Sequence, residues 1–425
     1  MSWKPSARAS LHTPCWPESM PSHPTPASFC AIGRRKALAL IATGAGSACM
    51  AAENTLQSLS AQAHGQTVYF NAWAGSDTIN AYIQWAAQQM QSRYGVRVEH
   101  VKISDAADVV KRVRNEKAAG KQDGSVDLMW INGENFLTMK REGLLFGPYA
   151  EKLPNYALVD TAGKPTTRID FAEPVEGMEA PWGMAQLTFM VDSKQVAKPP
   201  QDIQDLLAFA RAHPGRVTYP RPPDFHGTTF LKQLLLDLNP QRDALYKPVS
   251  PEAFAKASAP LWNYLGNLHP LLWRAGKQFP LTAAAIRQML ADGELRWALT
   301  FNPNEAANEI AAGRLPASVV SYQFPAGTIG NTHFLAIPVN ARAKEAAMLF
   351  ANFLLSPQAQ ARKADLTVWG DPTVLDVKRL GPQEQALFAT KSAPGQLRQA
   401  APAIPEPHGS WVDALEKEWL KRYGT

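Results

Sequence analysis

Between residues 67 and 135 short apolar runs alternate with helical spacing, an order that points to a layered α/β unit. Residues 67–73 (TVYFNAW) have the pattern of a buried strand that stops at Ala74-Gly75-Ser76. Ser76 is an N-cap candidate, Ile79, Tyr82, Ile83, Ala86, Ala87 and Met90 keep helical spacing, and Gly95 falls just past the end as a C-cap. Residues 96–103 alternate as a second strand and residues 105–119 read as a second helix. Residues 126–131 form a third apolar strand, which runs into Asn132-Gly133-Glu134-Asn135. In such units ligands sit outside the carboxyl ends of the strands, where loops meet helix N-termini whose first N–H groups lack partners. The expected ligand loops are therefore 73–77, with Trp73, Gly75 and Ser76, and 132–136, with Asn132, Gly133 and Glu134.

Residues 179–192 (EAPWGMAQLTFMVD) read as one long strand that crosses between lobes. A helical stretch opens at Pro199-Pro200 and ends at His213-Pro214-Gly215, and residues 217–220 read as a short strand. The turn-rich loop from Pro222 to Thr229 leads into a periodic helix over 230–238, with Thr228 or Thr229 as its N-cap. Free N–H groups there favour an anionic ligand group. Residues 294–301 alternate Leu295, Trp297, Leu299 and Phe301 and run into Asn302-Pro303-Asn304-Glu305. Residues 327–338 return the chain to the first lobe, residues 343–355 read as a helix, and an amphipathic helix over 411–422 closes the chain. No repeat of fixed period is visible.

The first 63 residues read as an export address. Gly33-Arg34-Arg35-Lys36 is a basic segment, residues 37–52 are apolar and small, and Ala61-Gln62-Ala63 offers a cleavage site before His64. The paired arginines followed by Leu38 resemble a twin-arginine signal, while Gly33 and Ala37 depart from its usual residues, so this route and the general secretory route both stay open. Gly46-Ser47-Ala48-Cys49 has the small residues of a lipoprotein box without its usual leucine, which leaves a lipid anchor at Cys49 open as well. The apolar run, at 16 residues, falls short of the roughly 20 that a membrane span needs. The expected location is the periplasm.

Cys15, Cys30 and Cys49 all lie in the leader, so a product cut after Ala63 has no disulfide, thiolate nucleophile or thiolate metal site. The leader also carries five basic and two acidic residues; the remaining 362 residues hold 38 basic and 35 acidic groups, net +3. Those charges are interspersed, without the basic run or aromatic-plus-basic pattern that nucleic acid requires. Length suggests two domains or lobes.

Six segments, TVYFNAWAGSDTINAYIQWA, DLMWINGENFLTMKREGLLFGPYAE, APWGMAQLTFMVDS, TYPRPPDFHGTTFLKQ, TFNPNEAANEIAAG and GTIGNTHFLAIPVNARAKEAAMLFANFLLSPQAQ, resemble in this order the YnjB-like solute-binding proteins of bacterial ABC importers. The last also resembles the wider class of type 2 periplasmic binding proteins. The resemblance implies an α/β fold of two lobes joined by crossing strands, divided as 66–184 plus 328–362 and 185–327 plus 363–425, with a ligand cleft between them. It implies hinge closure on a small solute by a monomer without cofactor, and delivery to a membrane permease powered by a separate cytoplasmic ATPase. YnjB-like proteins are often grouped with thiamine-binding relatives, which raises thiamine or a similar planar cation as ligand.

The loops predicted to face that cleft contain Trp73, Trp182, Tyr219, Phe225 and Trp369, whose rings suit a desolvated cation at about 2 kcal/mol each. Glu134, Asp224, Asp371 and Asp77 offer countercharge, and Thr228, Thr229 and Asn302 offer polar contacts. Each aromatic has packing as its alternative role, and Trp85, Trp130 and Trp297, inside regular elements, are assigned to packing. The seven histidines from His64 onward are scattered, without His-x-His or HExxH, and no metal or cofactor is expected. No GxSxG elbow is present. A hydrolase built on an Asp/Glu pair, and a binding protein that feeds a sensor, are the alternatives from other classes.

Overall fold

The computed structural model describes residues 53–389 and 392–424, in which two β-sheets are each backed by their own apolar cores. The leader's basic residues, its apolar run and Cys49 lie outside the described residues. Helix α1 (residues 53–63) leads into β1 (Thr67–Trp73), α2 (Asp77–Tyr94), β2 (Arg97–Ile103), α3 (Ala106–Ala118), β3 (Leu128–Ile131) and α4 (Gly133–Arg141). The expected alternation is present, and its punctuation is local. Gly95, at φ +65°, closes α2: its N–H donates to the Gln91 carbonyl and the Val96 N–H to the Met90 carbonyl. Asp105 opens α3 by accepting from the Ala107 N–H.

A small hairpin, β4 (Ile169–Asp170) and β5 (Glu173–Pro174), precedes β6 (Glu179–Gln186) and β7 (Thr188–Asp192). Then come α5 (Ile203–Ala212), α6 (Phe225–Leu238), α7 (Pro251–Leu268), α8 (Ala283–Ala291), β8 (Ala298–Thr300), α9 (Glu305–Ala311) and β9 (Val319–Tyr322). The chain closes with β10 (Thr328–Ala336), α10 (Lys344–Leu354), α11 (Pro357–Ala364), α12 (Pro382–Ala386), β11 (Ala403–Ile404) and α13 (Ser410–Tyr423).

The first sheet runs β11-β10-β3-β1-β2, with β6 also paired to β10. β1 is parallel to both β2 and β3, so all three deliver their carboxyl ends to one edge. β10 lies antiparallel to β3 and β6. Phe70, Trp182 and Leu335 bury one face of this sheet, and Met129, Ile131 and Phe334 bury the other. Trp369, Val374, Leu375 and Leu380 also join the first core. The second sheet is antiparallel, β8-β7-β9, with Phe189, Trp297 and Leu299 in one core and Met190, Ala298 and Val319 in another.

The stretch 179–192 differs from the single strand its sequence suggests. It is two strands divided at the fully buried Leu187, where β6 leaves the first sheet and β7 enters the second. Leu187 itself donates to the Ile329 carbonyl at 2.8 Å, which ties this crossing to β10. Residues 217–220 belong to no strand, because backbone groups there pair with loops: Val217 accepts from the Trp273 N–H at 2.9 Å. Helix α6 begins five residues before Phe230, for a reason given below. Among the described residues no helix is long and apolar enough to cross a membrane.

Candidate functional site

The carboxyl ends of β1 and β3 place both expected ligand loops on one edge of the first sheet. Trp73 is exposed to 37 % and its ring lies over Gly75, where a Cβ would collide with it. Ser76 takes the N-cap position of α2 but its hydroxyl pairs with Thr78 Oγ1 at 2.8 Å instead of capping the backbone. Asn132 occupies the N-cap of α4, also without a side-chain cap. Gly133 has φ +64°, and a Cβ there would meet the Phe171 ring at 2.7 Å, so both conformation and space demand glycine. Its N–H donates to Asp170 Oδ2 at 2.6 Å.

Helix α6 faces this loop. Asp224 is its N-cap and accepts from the N–H groups of His226 and Gly227, which corrects the assignment of the cap to Thr228 or Thr229. A carboxylate at Asp224 reaches those first-turn donors before either threonine can. The Thr228 N–H is consequently bonded to the Asp224 carbonyl at 2.9 Å, and the open anion-binding terminus expected there is absent. Thr228 Oγ1 donates to Glu416 Oε1 at 2.7 Å, while the buried Thr229 hydroxyl has no partner. Phe225, exposed to 37 %, packs edge-on to Phe301 at 5.0 Å.

Two turns into α6, the fully buried Lys232 lies 2.7 Å from Glu406 Oε2. Its Nζ also stands over the rings of Phe171, at 4.3 Å, and Phe225, at 5.6 Å. Three more carboxyl groups feel this one cation: Glu134, Asp170 and Glu416. Burial pushes the Glu134 carboxyl up to about 7, with Lys232 opposing and Glu416 and Glu406 reinforcing. Burial also raises Glu416 to about 7 against its bond from Thr228, and Asp105 and Asp413 add to the repulsion. Asp170 is raised well above its usual range by burial, despite its bond from Gly133, and Glu406 is raised by burial against the pull of Lys232. Oδ1 of Asp170 is buried without a hydrogen-bond partner. Four carboxyl groups from different segments thus share one lysine.

A second group gathers in the first core. Trp182 and Trp369 pack at 5.5 Å, and Trp130 stands 5.1 Å from Trp182 and 4.8 Å from His333. Asp371 accepts from His333 Nε2 at 3.2 Å and forms a buried ion pair with Lys363. Burial lowers the Lys363 ammonium below the usual lysine range, an effect that Asp371 opposes. Gly183 makes room for this group, since a Cβ there would collide with Asp371 and stand 2.8 Å from His333. Asn302 reaches across to the Trp369 carbonyl at 3.4 Å, and the neighbouring Asn304 donates to the Gly370 carbonyl.

Tyr219 joins neither group. It is buried in the second core, where its hydroxyl receives the Trp419 indole N–H at 2.8 Å and pairs with His269 Nε2 at 2.7 Å. The expected residues therefore divide into a loop-and-helix group (Trp73, Gly75, Ser76, Asn132, Gly133, Glu134, Asp224, Phe225, Thr228, Thr229), a buried aromatic group (Trp182, Asn302, Trp369, Asp371), and Tyr219 alone. Sequence reasoning did not single out Asp170, Phe171, Lys232, Glu406 or Glu416.

Residues 85–387 match the family described as bacterial extracellular solute-binding protein. The chain belongs to that family. It is 52% identical over 370 residues to protein YnjB of Escherichia coli strain K12, an alignment covering 87% of this chain and 94% of that protein. Its fold matches a putative extracellular solute-binding protein from Bordetella parapertussis, with TM-score 0.60, 13% identity, 84% of this chain and 98% of the other. A putative spermidine/putrescine ABC transporter from Listeria monocytogenes matches with TM-score 0.58, 16% identity, 84% of this chain and 99% of the other. The periplasmic binding protein AfuA from Actinobacillus pleuropneumoniae, with fructose-6-phosphate bound, matches with TM-score 0.57, 16% identity and the same two coverages. As a member of this family, the chain is an extracellular solute-binding protein.

Proposed function

We propose that this solute-binding protein captures a cationic solute between its two sheets and releases it to the permease by hinge opening at the β6–β7 and β10 crossings. The observation that carries this reading is the charge imbalance around Lys232: Glu134, Asp170, Glu406 and Glu416 face a single lysine. A positive ligand group would let more of these carboxyls ionise, gaining affinity from the charge the fold has concentrated. Phe171 and Phe225, which already flank one ammonium, and the exposed Trp73 supply rings of the kind that hold a desolvated cation. Thiamine, a planar cation, fits this class, as do polyamines. The working form is a periplasmic monomer, exported through the leader by the twin-arginine or the general secretory route, with lobes divided near residues 185 and 328.

Thermal unfolding of the purified protein against thiamine, its phosphates, putrescine, spermidine, neutral sugars and sugar phosphates tests the reading. A cation present at 100 times its Kd should add about 2.7 kcal/mol to the bound form. Stabilisation confined to sugars or to anions would sink the cationic assignment while leaving the family membership untouched.

A further inference from the structure

Resting on the export reading above, we infer that residues 53–63 are the first helix of the exported protein, and that the leader is removed upstream of Glu53 and not after Ala63. The bond after Ala63 has small residues at both flanking positions, as a signal peptidase requires, but the structure gives this segment a different role. Ala63 is fully buried in the first core, and Leu56 and Leu59 pack against that core from α1. The joint between α1 and β1 is fastened on several sides. The His64 N–H donates to the Ser60 carbonyl at 3.1 Å, and the Gly65 N–H donates to the Gly95 carbonyl at 3.1 Å. His64 Nδ1 lies 3.0 Å from the Tyr94 carbonyl, and its ring fills the space where Gly95 lacks a Cβ. Gln66 donates back to the Gln62 carbonyl at 3.0 Å and accepts from the Ala346 N–H at 3.3 Å.

A cut after Ala63 would remove the helix and uncover the apolar surface that Leu56 and Leu59 shield. Just upstream of α1, three bonds keep the same pattern of small residues: after Ala48 with Gly46, after Cys49 with Ser47, and after Ala51 with Cys49. These bonds fall at the end of the apolar and small-residue run, whereas the bond after Ala63 is separated from it by the whole of α1. The step is hydrolysis of one peptide bond by a membrane-bound signal peptidase. Water supplies the oxygen of the leader's new carboxylate and the protons of the product's new ammonium.

The full chain with its own leader is expressed in a Gram-negative host, and the periplasmic product is read by intact mass and amino-terminal sequencing. The expected first residue lies between Cys49 and Glu53. A product that begins at His64 overturns the inference with export intact; an uncut chain confined to the cytoplasm overturns the export reading as well. Ala61→Glu sharpens the test, because Ala61 is exposed on α1 yet occupies the position that must be small for a cut after Ala63. Processing unchanged by this substitution is the expected result, and blocked processing would refute the upstream cut. Replacing Leu56 and Leu59 together by alanine in the full chain should lower the melting temperature of the exported protein by several degrees. An unchanged melting temperature would remove α1 from the fold's supporting parts.

Discussion

The two polar groups on the first sheet differ in their charge balance. Around Lys363 one lysine meets one aspartate, with His333 hydrogen-bonded to the same carboxylate and tryptophans enclosing the rest. Around Lys232 one lysine pairs with Glu406 and acts electrostatically on three more carboxyl groups, two of them raised to about 7. The first is complete in itself and behaves as a stabilising core element; the second is short of positive charge and has a use for a partner. A buried pair is costly to break, whereas an unbalanced set is tuned by whatever enters it.

The largest effect should come from the balanced group. Trp182→Ala removes a fully buried ring at the centre of the tryptophan cluster and is expected to cost about 3–5 kcal/mol, read as the shift of a urea midpoint. A similar loss, about 3–5 kcal/mol, is expected for Lys363→Met, which leaves Asp371 buried without its cation; adding Asp371→Asn should recover much of it. If Lys363→Met instead left stability intact and weakened solute binding, the contrast drawn between the two groups would collapse.

The unbalanced group should respond in binding. Glu134→Gln is expected to weaken a cationic solute about tenfold, roughly 1.4 kcal/mol, with little change in the unliganded midpoint. Its pH response has a definite sign. Glu134 and Glu416 are raised from 4.5 to about 7 in the folded protein, so between those values the folded state holds more protons than the unfolded one. Their contribution to stability is present below about 4.5 and is lost as pH rises toward and through 7, while affinity for a cation grows over the same rise. Calorimetric titrations at pH 5.5 and 8 that gave equal affinities would remove these two carboxyls from the binding account. The smallest change is expected for Thr229→Val, where a buried hydroxyl without a partner is exchanged for a methyl group, within about 1 kcal/mol of neutral in melting experiments.

Local chemistry made much of the fold readable. Gly95 and Asp105 announce helix boundaries within a few residues of themselves, and the apolar periods of β1, α2 and β3 stand out in the chain. The errors arose where two local signals competed or where partners lay far away. At the start of α6 a threonine and an aspartate both offered a cap, and the better acceptor, Asp224, won. At Leu187 nothing in the apolar pattern marks the change from one sheet to another, because both sides of it are buried. The loops holding Trp73 and Gly133 could be anticipated from strand order, but the carboxyl set could not. Asp170, Lys232, Glu406 and Glu416 come from separate parts of the sequence, and only the closed topology brings them to one place.

Gly183 shows how an uncharged position can control charged ones. Its missing side chain is the space used by Asp371, His333 and the end of Lys363, three groups supplied by other parts of the chain. A single added methyl group would therefore push on an acid, a base and an imidazole at once, so that Gly183→Ala, the mildest of substitutions on paper, would act on this protein as an electrostatic mutation.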